Sequence, residues 1–156
     1  MSILNVGKKM TIACPEGFHE MTDDEKGNLN ILVEGDAVYM TNPEKHIILT
    51  VGCRRAGGLA ALVTQRDLVG NVEKNVRKSM KPFRYVFGEP FETSIAGVDA
   101  NGFDYTYVAQ GIPMYGREYV MKVNNMIYYF NFYTRQSLRD ESLAELNNIL
   151  KTVALS

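Results

Sequence analysis

Histidine, serine and cysteine are the first side chains to consider for catalysis or metal binding in this chain. The two histidines, His19 and His46, have no cysteine, histidine or carboxylate at the spacing that zinc ligands adopt, so we interpret both as surface residues. No serine lies in a nucleophile-elbow sequence, and the Gly-x-Gly patterns of phosphate-binding loops are absent from the sequence. The sequence therefore predicts no catalytic residue, no metal site and no cofactor.

The two cysteines, Cys14 and Cys53, are far apart in sequence and lie in apolar, strand-like contexts. We interpret both as small buried hydrophobic residues, because free cysteine is among the most buried residue types. A disulfide bond would require their Cα atoms to lie within about 7 Å of each other. The sequence alone leaves that distance open.

A basic stretch followed by aromatic residues lies near the middle of the chain. Its members are Lys74, Arg77, Lys78, Lys81 and Arg84, with Phe83, Tyr85 and Phe87. Single-stranded nucleic acid binds such surfaces because bases stack on aromatic rings, but a solvated helix face explains the pattern equally well. The formal net charge of -1 and the pI near 6.1 lack the basic excess expected of a nucleic-acid-binding domain. We therefore predict no nucleic-acid partner.

Tyrosine is unusually frequent, with nine residues in the chain and most of them between Tyr105 and Tyr133. Tyrosine suits surfaces that are apolar on one side and hydrogen-bonding on the other. In one interpretation, the rings pack under helices while their hydroxyl groups reach water. In the other, aromatic anchors line a groove for a peptide or helix, as interface hot spots do. The residues of that candidate binding groove are Glu118, Tyr129, Asn131 and Tyr133.

The element that would position these four residues is a β-hairpin. Residues 115–123 and 126–134 alternate as strands do, and Asn124-Asn125 between them tolerates left-handed backbone geometry. The predicted opposing pairs are Tyr119 with Phe130, Met121 with Tyr128, and Val123 with Met126. That face is expected to be core. The opposite face, which carries Glu118, Val120, Lys122, Ile127, Tyr129, Asn131 and Tyr133, needs a partial cover, and we expect the terminal helix over 138–155 to pack on this sheet.

The remaining pattern predicts one α+β domain over residues 1–156, with an antiparallel sheet of about six to seven strands. Apolar residues recurring at three, four and seven indicate a long central helix over 59–80, which Gly70 weakens and Pro82 ends. Thr22 and Glu25 have the spacing of a helix capping box. A hairpin turn is predicted at residues 99–102. The other predicted strands are Met10–Cys14, 37–41, 46–53, 83–87, 91–98 and 103–110.

No apolar run in the sequence approaches the roughly 18 to 20 residues that cross a bilayer, so no membrane span is predicted. Lys8 and Lys9 near the N-terminus are not followed by the apolar segment of a secretory signal. We therefore expect a cytoplasmic location for the chain as written, with an envelope location as the alternative for a trimmed precursor.

The segment 10–18, with sequence MTIACPEGF, resembles the strand and Pro-x-Gly-aromatic entry of the PsbP-like superfamily, which includes the bacterial DcrB-like proteins. The predicted order of elements is similar to that superfamily over nearly the whole chain. The resemblance implies an antiparallel sheet with helices on its faces, in proteins that mostly act by binding. Its members include a photosystem subunit, a Ran-binding import factor and chaperones for secreted bacterial toxins. It supplies no catalytic motif to transfer to this chain.

The sequence thus favours a noncatalytic adaptor or chaperone-like domain that binds a protein partner, while the partner's identity and the oligomeric state stay open. The alternative is a small-molecule-binding protein or a cryptic enzyme with a pocket between sheet and helix. In that alternative, Glu118, Asp104 or Arg117 would supply the polar contacts.

Overall fold

The computed structural model describes residues 1–29 and 35–156, which form two antiparallel sheets and three α-helices. In chain order the elements are β1 (Ser2–Val6), β2 (Met10–Cys14), β3 (His19–Glu20), α1 (Asp23–Lys26), β4 (Asp36–Asn42), β5 (Ile47–Arg55), α2 (Gln65–Met80), β6 (Val86–Ile95), β7 (Val98–Ala109), β8 (Ile112–Val123), β9 (Met126–Arg135), α3 (Arg139–Leu150) and β10 (Ala154–Leu155). The smaller sheet has the strand order β1-β2-β10, and the larger has the order β3-β4-β5-β9-β8-β7-β6. The predicted α+β class, with its antiparallel sheet, central helix and C-terminal helix, is confirmed.

The β8–β9 hairpin has the register that the sequence predicts. Tyr119 lies opposite Phe130, and the neighbouring pairs follow the same alternation down to the turn. Asn124 takes a positive φ of 55° at that turn, a conformation that asparagine tolerates better than most residues. The alternation of side chains fixes which residues face which layer.

The β6–β7 turn lies earlier than predicted. It is formed by Ala96 and Gly97, with φ values of 53° and 76°, which is the two-residue geometry that matches strand twist. Asp99 is already inside β7, opposite Ser94, and Gly102 pairs with both Phe91 and Tyr119. A Cβ atom at residue 102 would lie 2.4 Å from the Phe91 ring. Gly102 is therefore needed for close packing inside the strand, and not for a turn.

The helices are shorter than predicted at three of their four ends. A 3-10 turn over Gly58–Ala61 comes first, and α2 begins after Thr64, whose hydroxyl accepts a hydrogen bond from the Asp67 N–H at 3.2 Å. A second 3-10 turn replaces the start of the predicted strand over 83–87. The C-terminal helix spans Arg139–Leu150, and the residues beyond it form β10, which pairs with β2. The Thr22–Glu25 capping box is present at α1.

The two faces of the large sheet are covered by different elements. Helix α2 packs on one face, where Val76 and Met80 contact Phe103, Tyr105 and Tyr133. Helix α3 and the small sheet pack on the other, where Leu146 and Ile149 join the cluster that contains Phe130. The expectation that α3 covers the Glu118 face is therefore wrong. Helix α3 instead buries the apolar face, because its own apolar residues find the larger apolar area there.

Both cysteines are buried, as the interpretation from sequence proposed, and neither forms a disulfide bond, a point that the sequence left open. Cys14 lies in the small sheet and Cys53 in β5 of the large sheet. Burial raises the pKa of each thiol, which keeps both in the neutral form. In the described ranges, no helix combines the length and the apolar character that crossing a bilayer demands.

Candidate functional site

Three of the four residues proposed for a binding groove lie together beneath α2. Glu118 on β8 and Asn131 on β9 are direct cross-strand neighbours, and Tyr133 is two residues further along β9 on the same face. All three are buried, with Glu118 only 1% exposed, while Tyr129 is half-buried. Helix α2 thus closes over the face that the sequence predicts to be a partly open groove.

A short polar network links these buried groups. The Tyr105 hydroxyl donates a hydrogen bond to Glu118 Oε1 at 3.3 Å. The Asn131 amide contacts Glu118 Oε2, either donating its N–H to an ionised carboxylate or accepting the proton of a neutral carboxyl group through its oxygen. The buried Tyr133 hydroxyl has no hydrogen-bond partner in the described part of the chain, although the Tyr105 hydroxyl lies near enough to influence its pKa. The network satisfies Glu118 and leaves the Tyr133 hydroxyl unpaired.

Burial raises the pKa of the Glu118 carboxyl group well above its ordinary value of 4.5. The cause is loss of hydration, which penalises the ionised form, and the hydrogen bond from Tyr105 opposes it only in part. Within residues 1–29 and 35–156, Glu118 forms no ion pair with a basic side chain. Folding therefore shifts this group toward the neutral carboxyl form.

Tyr129 lies apart from this network, nearer the end of the sheet. Its hydroxyl accepts a hydrogen bond from Arg54 Nε at 2.9 Å, and the Arg54 guanidinium group lies 5.6 Å from the centre of the Tyr129 ring. The same ring packs against the cluster that contains Leu68 at the start of α2. Tyr129 therefore holds Arg54 in place and contacts the helix.

Asp104 and Arg117 do not converge with Glu118, so the three polar contacts of the alternative pocket do not form one site. They are direct partners across β7 and β8 on the face opposite Glu118, with Arg117 Nη1 3.9 Å from Asp104 Oδ2. Arg139 lies 3.3 Å from the same carboxylate oxygen, and the Tyr115 hydroxyl donates to it at 2.9 Å. Asp104 is thus fully engaged in an ion-pair network that ties the start of α3 to the sheet.

An open groove, which the sequence does not predict, lies between α2 and the edge strand β6. Its volume is about 630 Å³. Its α2 side is lined by Arg66, Val69, Gly70 and Glu73, and its β6 side is lined by Phe87, Pro90 and Glu92. Part of its floor is formed by Phe103. We call this cleft the α2–β6 groove. The sequence signal that could have indicated it is Gly70, a glycine in the middle of a long helix.

The ends of the α2–β6 groove carry charged groups. Arg66 and Glu92 form an ion pair across one end, with Arg66 Nη2 3.3 Å from Glu92 Oε1. At the other end, Glu73 is bound by Arg77, and the Tyr85 hydroxyl donates to Glu73 Oε2 at 2.7 Å. Between these ends the Phe87 ring is 42% exposed and meets the Phe103 ring edge-on, with ring centres 6.1 Å apart. The groove therefore has an apolar centre and polar ends.

Comparison with known proteins places the architecture but not the activity. No protein-family model matches the sequence, and no curated protein sequence does. Among solved structures, the chain is similar to cyanobacterial PsbP (CyanoP) from Synechocystis, with a TM-score of 0.68 and 14% identity over 94% of this chain and 86% of that one.

Two further solved structures extend the comparison. LpqN, involved in cell envelope biogenesis of Mycobacterium tuberculosis, has a TM-score of 0.62 and 8% identity over 99% of this chain and 90% of that one. The Ran-binding protein Mog1p of Saccharomyces cerevisiae has a TM-score of 0.58 and 7% identity over 94% of this chain and 89% of that one. At these identities the likeness concerns the fold, and by that measure the chain has the PsbP-like fold.

Proposed function

We propose that this chain is a noncatalytic protein-binding domain and that its partner docks in the α2–β6 groove. The observation that carries the proposal is Gly70. A glycine inside a helix lowers the stability of the helix by about 1 kcal/mol relative to alanine. No other described residue lies so close to residue 70 that it requires a glycine there. A Cβ atom added at residue 70 would have nothing within 4 Å, and its φ is not in the left-handed region.

Because neither internal packing nor backbone geometry accounts for Gly70, we infer that the absent side chain leaves room for a partner. A glycine lets a second backbone or a large side chain approach the helix closely. The exposed Phe87 ring stands across the groove and offers an apolar contact. Aromatic side chains of this kind are frequent anchors in protein interfaces.

The partner segment that fits carries an apolar side chain flanked by polar groups. The apolar side chain would pack on the Phe87 and Phe103 rings, next to Gly70. Its polar flanks would meet Arg66 and Glu92 at one end and Glu73 at the other. The Ran-binding protein among the structurally similar proteins supports a protein as partner.

In this proposal, Glu118, Asn131, Tyr133 and Tyr129 act from behind the groove. Tyr133 packs against Val76 and Met80 near the C-terminal end of α2. Tyr129 packs in the cluster that contains Leu68, near the N-terminal end of the same helix. These contacts set the position of α2 relative to the sheet, and hence the width of the groove. Their role is positional, and partner contact falls to residues such as Phe87.

A small-molecule ligand in the same groove is the alternative function. The groove volume of 630 Å³ falls within the range of about 300 to 1,000 Å³ that small-molecule sites occupy. It also lies between a sheet and a helix, as that alternative requires. The two functions can be distinguished by the mass of the molecule that stays bound to the protein during purification, because a partner chain is much heavier than a small-molecule ligand.

Native mass spectrometry of the protein purified gently from its own cells tests the proposal. We expect a reproducible co-purifying chain, reduced at least tenfold by Phe87→Ala. Val86→Ala is the matched control, because Val86 is an exposed apolar residue of the same strand that does not line the groove. If the protein instead retains a small molecule, and Phe87→Ala reduces that retention, the groove would be a small-molecule site and the alternative function would hold. Equal retention by both variants would refute the groove as the site.

A further inference from the structure

A second cavity, remote from the α2–β6 groove, lies where the small sheet meets the end of the large one. It has a volume of 560 Å³ and is bordered by the β1–β2 turn, the start of β4, the end of β5, the β8–β9 turn and the C-terminal residues. Its position between the two sheets makes it independent of α2. We call it the inter-sheet cavity.

One side of the inter-sheet cavity is basic. Lys8 and Lys9 on the β1–β2 turn and Arg55 at the end of β5 border it, and all three side chains are exposed. In the described residues none of the three forms an ion pair, whereas Lys45 and Arg77 elsewhere each pair with a glutamate. Three cations gathered without acidic partners are notable in a chain whose net charge is -1.

Among the described residues, the acidic groups at the cavity are fewer than the basic ones. Asp36 is the one acidic side chain of that part of the chain that borders it. Arg54 also borders the cavity, but its guanidinium group is held by Tyr129 on the other face of the sheet. The local field therefore favours an anion.

The other side of the cavity is apolar. Cys53 and Tyr128 are buried in its wall, and Val123, Met126 and Leu155 are half-buried around it. Gly7 brings the β1–β2 turn against this wall, because its φ is 63° and a Cβ atom there would lie 2.6 Å from Cys53 Sγ. The turn therefore holds the two lysines next to the apolar wall.

We propose that the inter-sheet cavity binds a small amphipathic anion, with its acidic group at Lys8, Lys9 and Arg55 and its apolar body against Val123, Met126 and Leu155. A carboxylate on a medium-length alkyl chain has this chemistry. If only the basic side chains mattered, inorganic phosphate would bind as well. If only the apolar wall mattered, a neutral alcohol of the same chain length would bind as well. The combination of the two sides distinguishes the proposed ligand class from both.

Methyl-detected NMR of the full chain, titrated with octanoate, tests this proposal. We expect the methyl signals of Val123, Met126 and Leu155 to shift with saturation, while Val69 in the α2–β6 groove stays unchanged. Under the same conditions, 1-octanol and inorganic phosphate should each bind at least about tenfold more weakly, and tenfold corresponds to about 1.4 kcal/mol.

Charge-removing variants separate a specific site from general attraction. The double variant Lys9→Gln with Arg55→Gln should weaken octanoate binding about tenfold, a factor that corresponds to about 1.4 kcal/mol. Lys74→Gln with Lys78→Gln on α2 changes the net charge equally, and it should leave the affinity unaltered. Octanoate that shifts no cavity methyl group, or that binds no better than octanol, would overturn the proposal. Equal weakening by both double variants would overturn it as well. Neither result would bear on the α2–β6 groove.

Discussion

Replacing Glu118 with glutamine removes an ionisable group from the centre of the large sheet while keeping its shape. Glu118 is 1% exposed and contacts Tyr105 and Asn131, and both contacts can be made by a neutral amide. In the unfolded chain the carboxyl group ionises near its ordinary pKa of 4.5, whereas burial holds its pKa well above that value in the folded protein. The variant therefore isolates the effect of this one proton on stability.

The sign and the size of the effect follow from proton linkage. Between the unfolded and folded pKa values, the folded protein keeps the Glu118 proton that the unfolded chain releases. The free energy of unfolding of the wild type therefore falls as pH rises, by up to about 1.4 kcal/mol per pH unit. The Glu118→Gln variant has no titratable group at this position, so its stability does not fall with pH for this reason. The other carboxyl groups are common to both proteins, so their contributions cancel when the two free energies of unfolding are subtracted.

Urea unfolding of both proteins across about pH 5 to pH 7 measures this difference. We expect the stability of Glu118→Gln relative to wild type to grow steadily with pH over that range. The slope should approach about 1.4 kcal/mol per pH unit while the folded carboxyl group stays protonated. A difference that stays constant with pH would show that Glu118 ionises equally in both states. That result would refute the inference that it is a neutral buried acid.

Two further substitutions test the packing on either face of the sheet. Tyr133→Phe removes a buried hydroxyl group that has no hydrogen-bond partner among the described residues. The free energy of unfolding in urea should therefore rise by about 1 kcal/mol. A decrease of similar size would show that the hydroxyl group is hydrogen-bonded in the folded protein. Phe130→Ala empties a fully buried site under α3, and it should cost about 3 to 5 kcal/mol in the same assay; a cost below about 1 kcal/mol would contradict that burial.

The features that sequence predicted well are those decided by neighbouring residues. The β8–β9 register depends on an alternating pattern and a turn that lie within about 20 residues of each other, and it is confirmed. The β6–β7 turn is the counterexample. Asn101-Gly102 carries a stronger turn signal than Ala96-Gly97, but the pairing of Gly102 with two strands and the nearby Phe91 ring placed it inside β7.

The features that sequence missed depend on which layers meet in three dimensions. Alternation separates the two faces of the hairpin, but it does not say that α2 covers Glu118 while α3 covers Phe130. For the same reason, the sequence could place Glu118, Asn131 and Tyr133 on one face without predicting that they are buried. The α2–β6 groove exists because α2 packs across the sheet beside its edge strand, and in the sequence only Gly70 indicates it.

The affinity of the co-purified partner for Gly70→Leu, compared with Asn71→Leu, tests the central claim most directly. Both variants add a leucine to the exposed surface of α2, but residue 70 lines the α2–β6 groove and residue 71 does not. Leucine is a better helix former than glycine, so a loss of binding by Gly70→Leu would not reflect a weaker helix. We predict that Gly70→Leu loses partner binding at least tenfold while Asn71→Leu retains it. Full binding by Gly70→Leu would show that the groove is not where the partner docks.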